Sequence, residues 1–113
     1  MDLNKSAPND VSIDWSKTPL VPAVAQEYYT GEVLMLAYVN EEALNLTLSK
    51  GYAHYFSRSR NAIWLKGETS GNLQKIREVR IDCDDDALLY IVEQQGNACH
   101  TGELSCFYRK ISG

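Results

Sequence analysis

Beyond residue 50 the chain is cut into short runs, at 53–57, 62–66, 73–82, 87–93 and 105–111, each rich in aromatic or β-branched residues and set off by Gly, Asn or Asp. Runs of that length and make-up predict the strands of a meandering sheet, because such side chains pack well on a pleated surface and the punctuating residues turn tightly. An earlier run at 33–38 is apolar without a break, as in a strand buried on both faces, and Thr30-Gly31 before it supplies a tight hairpin turn. Upstream, Val11, Ile13 and Trp15 alternate as a short edge strand does. One segment departs from the pattern. Asn40 can cap a helix, Glu41 and Glu42 fall in a first turn where the dipole favours carboxylates, and Gly51 supplies the stop. Leu44, Leu46 and Leu48 alternate as a strand would, but the two caps decide for a helix. The fold class that follows is mainly β (α+β): a small antiparallel barrel-like sheet capped by one helix.

A chain of 113 residues holds one core, so 14–113 reads as a single domain and 1–13, polar apart from a few residues, as a loose segment. The formal net charge of -4 argues against a broad surface for nucleic acid, so any anion must be held locally. No apolar run approaches the ~20 residues that span a bilayer, and Asp2, Lys5, Asn9 and Asp10 interrupt any signal-peptide core, which points to the cytoplasm and away from a membrane. Three cysteines cannot all pair with one another, and in a reducing compartment they remain free thiols.

The chemistry concentrates in four places. In Asp82-Cys83-Asp84-Asp85-Asp86 an extended chain would put Asp82, Asp84 and Asp86 on one face, suiting a hard cation such as Mg²⁺, with the Cys83 thiol on the other. A solvated acidic turn is the plainer reading of the same residues. The calcium-loop pattern is rejected, since Ala87 stands where that loop requires Gly and a strand follows. Cys83, Cys99 and Cys106, sixteen and seven positions apart, can hold a tetrahedral zinc with water in the fourth position, lowering that water's pKa to roughly 7. By spacing alone a closed site with His100 as fourth ligand is as good. Ligation by the adjacent Cys99 and His100 is awkward, which favours His100 as a general acid or base. The loop at 66–72 offers Lys66, Glu68, Thr69, Ser70 and the backbone around Gly71 to a phosphate, and Arg58 and Arg60 add guanidinium groups. Each is also readable as polar surface. His54, Tyr55, Phe56 and Trp64 read as structural or core residues before anything else.

Taken in order, SRSR at 57–60, WLKGETSGN at 64–72, RIDCDDDALL at 80–89 and ACHTGELSCFY at 98–108, with TGEVLMLAYVN at 30–40, closely resemble the phosphoribosyl-AMP cyclohydrolases of histidine biosynthesis. The resemblance implies a metal-dependent homodimer that hydrolyses the N1–C6 bond of the adenine ring of N1-(5-phosphoribosyl)-AMP, giving the formimino-aminoimidazole carboxamide ribonucleotide. It implies one zinc per subunit on Cys83, Cys99 and Cys106, with Cys83 contributed across the dimer interface, and magnesium on Asp82, Asp84 and Asp86. His100 is then expected to protonate the leaving nitrogen, and Arg58, Arg60, Lys66, Glu68, Thr69, Ser70 and Gly71 to bind the substrate. Two rivals are a nucleobase deaminase, whose H-x-E and P-C-x-x-C signature is absent, and a zinc-stapled binding module with a closed metal.

Overall fold

The computed structural model describes residues 13–113. Two strands, β1 (Val21–Glu27) and β2 (Val33–Val39), lead into helix α1 (Glu41–Lys50), followed by β3 (His54–Ser57), β4 (Ala62–Leu65), β5 (Gln74–Ile81) and β6 (Leu88–Gln94). They form one six-stranded sheet in the order β4-β3-β2-β1-β6-β5. Every pairing is antiparallel except that of β1 with β6, which run parallel from Ala23 opposite Leu88 to Glu27 opposite Val92. The sheet is therefore mainly antiparallel, with one parallel pair. The parallel pair depends on bringing residues sixty-five positions apart side by side, which local patterning does not encode.

Bulges at Ala25/Gln26 and Ile76/Glu78 interrupt the registers of β1–β2 and β5–β6, and such irregularities increase strand bending and twist. The sheet curls into a half-barrel. The outer strand β5 reaches the chain just before β3, where Tyr52 bridges Lys75, Ala53 N donates to Gln74 O (3.0 Å) and Ile76 N donates to Gly51 O (2.9 Å). Alternate residues of β1 (Val21, Ala23, Ala25) and β6 (Leu88, Tyr90, Val92) fill the interior with Leu34, Met35, Val39 and Tyr55. Asn40 caps α1 by accepting from Ala43 N (2.9 Å), and Gly51 ends it at φ +80°. The leucines do not carry the buried face of the helix. Ala43 and Thr47 do, and Thr47 Oγ1 accepts from His54 N (2.9 Å) while donating to Ala43 O (2.8 Å).

Four further expectations are revised. β2 is not buried on both faces, because Val33 and Leu36 are 43% and 45% exposed. The turn at Thr30-Gly31 belongs to a longer connection over 28–32, closed by Glu27 N donating to Glu32 O. Residues 105–111 form no strand. Ser105 Oγ donates to Val33 O (2.7 Å) and Cys106 N to Leu34 O (2.7 Å), but Ser105 Oγ also accepts Phe107 N, and that bend carries the chain off the edge of β2. Finally, Ile13 and Trp15 pack half-buried against the core without strand structure, with Trp15 starting a turn; Val11 and the rest of 1–12 lie outside the described residues. Among the described residues no helix is long and apolar enough to cross a membrane.

Candidate active site

β4 ends at Leu65, and the chain enters the 66–72 loop beside a second loop at 97–102. Between them lies a cleft of about 420 Å³, lined by Arg60, Lys66, Glu68, Thr69, Ser70, Cys99 and His100, with Trp64 on its wall. Two glycines allow close packing here. A Cβ on Gly67 would run into the backbone of Asn72, so a larger residue would open the 66–72 loop itself, and one on Gly96 would run into the Asn72 side chain, where the second stretch of chain meets that loop. Gly71 N donates to Gly67 O (2.8 Å) and Asn72 N to Ser70 Oγ (3.2 Å), closing the 66–72 loop on itself.

A buried polar chain supports the floor. Tyr55 Oη donates to Gln74 Oε1 (2.7 Å), Gln74 Nε2 to Gln94 Oε1 (2.9 Å), and Gln94 Nε2 to Asn72 O (3.3 Å). Burial pushes the Tyr55 phenol well above its ordinary value and Tyr90 up to about 12, so both remain neutral donors. His54 is a structural histidine, its Nδ1 lying 2.8 Å from Tyr52 O.

The 98–104 segment is a tight turn: Ala98 N donates to Leu104 O (2.9 Å) and Cys99 N to Glu103 O (3.1 Å). Lys66 Nζ donates to Ala98 O (2.6 Å), tying this turn to the opposite wall. Cys99 and Cys106 are near enough to influence each other's ionisation, and Thr101 Oγ1 is 2.9 Å from Cys99 Sγ. The Thr101 contact lowers the Cys99 thiol pKa, whereas burial and then the neighbouring Cys99 raise that of Cys106.

Cys83 does not join them. It stands in the β5–β6 turn, at the start of β6, whereas Cys99 follows that strand's end, and a seven-residue strand spans roughly 20 Å. Among the described residues the only grouping of three or more metal-ligating side chains is Asp82, Asp84 and Asp86, whose carboxylate oxygens lie within 4.8 Å of one another. These were expected to share the face of an extended chain. A turn brings them together instead: Asp82 Oδ1 accepts from Asp86 N (3.0 Å) and Ala87 N (3.2 Å), and Asp85 takes φ +59°. The backbone donors, chiefly Asp86 N, lower the Asp82 pKa, while its contact with Asp82 raises that of Asp86.

Arg58 lies outside the cleft. It sits in the β3–β4 turn with its guanidinium 4.1 Å from the Tyr38 ring centroid, in a neighbouring groove. Gly71, at φ +81°, bends the loop without lining the cleft. Asn72 and Asn97 line the cleft and were not anticipated; an isolated Asn carries no motif, and only the loop contacts disclose them.

The family model for phosphoribosyl-AMP cyclohydrolase matches residues 35–108. The phosphoribosyl-AMP cyclohydrolase of Archaeoglobus fulgidus is 59% identical over 103 residues, covering 91% of this chain and 95% of that protein. That of Methanospirillum hungatei is 56% identical over 103 residues, covering 91% and 79%. The histidine biosynthesis bifunctional protein HisIE of Aquifex aeolicus is 60% identical over 104 residues, of which this chain spans 51%.

Proposed function

The chain belongs to the phosphoribosyl-AMP cyclohydrolase family of hydrolases, and from that premise we propose that it acts in histidine biosynthesis by opening the adenine ring of N1-(5-phosphoribosyl)-AMP between N1 and C6. The observation that carries this reading is one cleft gathering anion-binding groups (Arg60, Thr69, Ser70), a carboxylate (Glu68), an imidazole (His100) and a thiol (Cys99). A nucleotide needs the first of these, and hydrolysis needs the last two.

Substitution at N1 places positive charge on the purine and makes C6 electrophilic, so addition of water there gives a tetrahedral carbon whose collapse releases N1. His100 at the cleft is the group to protonate that leaving nitrogen. Glu68 accepts from ribose hydroxyls, and Thr69 and Ser70 donate to phosphate oxygens. Held at its remote ends, the substrate presents C6 in fixed geometry, which lowers the entropic part of the barrier.

The donor chemistry fits two metals. Cys99 and Cys106 offer adjacent soft thiol donors, and with Cys83 of the partner subunit in a homodimer they would hold zinc, leaving one position for solvent. Zinc, when bound, supplies Lewis-acid activation of water at neutral pH. The carboxylates of Asp82, Asp84 and Asp86 suit magnesium, which would offset their mutual repulsion. The test is an absorbance assay of purine opening on phosphoribosyl-AMP with metal-replete and chelator-stripped protein. Opening is expected in the first and not in the second; no opening by the replete protein overturns the activity, and opening that survives stripping overturns the role of zinc.

A further inference from the structure

We infer that the two phosphoribosyl arms of the substrate occupy separate depressions divided by Arg60 and Trp64, and that Arg58 is the specificity residue for the arm on N9; this rests on the ring-opening reading above. The second depression is a groove of about 730 Å³ beside the cleft, sharing Arg60 and Trp64 with it. Its own walls include Tyr38, Phe56, Ser57, Arg58 and Ser59.

Charge decides that one depression does not suffice. Each phosphate monoester carries roughly -1.5 to -2 near neutral pH. In the cleft, the Lys66 ammonium gives one of its donors to Ala98 O and the Glu68 carboxylate offsets one cation, so Arg60 and Lys66 together leave about one net positive charge for phosphate. The groove is the reverse. Two guanidinium groups line it with no carboxylate among its lining residues, and neither Arg58 nor Arg60 is paired with an acid among the described residues.

Arg58 is also placed in advance. Its guanidinium stacks on Tyr38, a residue of β2 fixed by pairing with Phe56, and Ser57 Oγ accepts Arg60 N (3.2 Å) to hold the turn. Stacking leaves the edge of the guanidinium free for two parallel hydrogen bonds to phosphate.

Connectivity assigns the arms. C6 is bonded to N1, so the N1 arm must remain where C6 reacts, in the cleft that contains Cys99 and His100. N9 lies across the purine from that bond. The groove contains no residue of the 97–102 turn, so it takes the N9 arm with its 5′-phosphate.

The experiment uses AMP, which keeps the N9 arm and lacks the N1 arm, and N1-(5-phosphoribosyl)adenosine, which keeps the N1 arm and lacks only the phosphate on the N9 side, as separate competitors of the full substrate with the metal-replete enzyme. Arg58→Ala should weaken AMP about tenfold and raise KM for the full substrate, while N1-(5-phosphoribosyl)adenosine stays within about twofold and kcat within about threefold. Arg58→Lys should recover part of the AMP affinity, and Ser70→Ala should weaken N1-(5-phosphoribosyl)adenosine more than AMP. Unchanged AMP affinity in Arg58→Ala, or an equal or larger loss for N1-(5-phosphoribosyl)adenosine, overturns the assignment. Calorimetric titration of AMP into wild type and Arg58→Ala reads the groove without turnover, so failure of the ring-opening reading is distinguishable from failure of this one.

Discussion

The two donor sets at opposite ends of β6 are assembled on different principles. The carboxylates of Asp82, Asp84 and Asp86 meet within one chain because a single turn, closed by Asp82 Oδ1 on the Asp86 and Ala87 amides, folds them together. The thiols do not meet within one chain: Cys99 and Cys106 converge across the 98–104 turn, while Cys83 is a strand's length away. A local hydrogen-bonded turn makes a self-contained hard-donor set. If the proposed zinc reading holds, a soft-donor set split by a strand would need a second copy, and metal binding and dimer assembly would then be one equilibrium.

The comparison is tested most severely at Cys99. Cys99→Ser removes a soft donor from the cleft, and turnover should fall by more than about a thousandfold with loss of bound zinc, while the carboxylate turn at the other end keeps its magnesium response. Zinc content by emission spectroscopy and magnesium titration of the same sample check both halves; a variant that keeps zinc and activity removes Cys99 from the chemistry.

A mixing experiment sharpens the contrast. Cys83→Ala and Cys99→Ala should each be inactive alone, yet random mixed dimers restore one complete site in half of the dimers, giving about a quarter of wild-type activity. Asp84→Asn mixed with Asp86→Asn should recover nothing, because no chain then carries an intact turn. Activity of refolded mixtures decides, and failure of the cysteine pair to complement breaks the shared-site reading.

What the sequence disclosed, and what it hid, follows the same division between local and distant. The caps of α1, the strands of the hairpins and the membership of the 66–72 loop are set by neighbours within a few residues, and Asn40, Gly51 and Gly67 declare them. The parallel pairing of β1 with β6, the stacking of Arg58 on Tyr38 and the tether from Lys66 to Ala98 join residues far apart in the chain. Residues 105–111 show the most direct conflict. Their composition is that of a strand, but one hydroxyl on Ser105 takes the Phe107 amide and leaves Phe107 61% exposed. That the carboxylates of the acid run come together was legible while its backbone was not, since alternation predicts an extended chain and the Asp82 side chain stabilises a turn.

The smallest effect is expected at Asp86 in metal-free protein, and its sign follows from the two carboxyls. Asp82 has a lowered folded pKa, so its contribution to stability is present above the unfolded value and is lost as pH falls through the folded one. Asp86 has a raised folded pKa, so its ionisation opposes folding, beginning above the unfolded value and reaching its full extent above the folded one. Asp86→Asn keeps the backbone donor to Asp82 and deletes one negative charge. With a chelator present at pH 7, Tm should therefore rise slightly, by about 2 °C or less, and below both carboxyl pKa values the gain should vanish. Excess magnesium should reverse the order at pH 7, because only the wild-type turn presents all three carboxylates to the ion. Melting curves at the two pH values, with and without magnesium, carry the test; a variant less stable than wild type in chelator at pH 7 would mean that hydrogen bonding by the Asp86 carboxylate outweighs its repulsion.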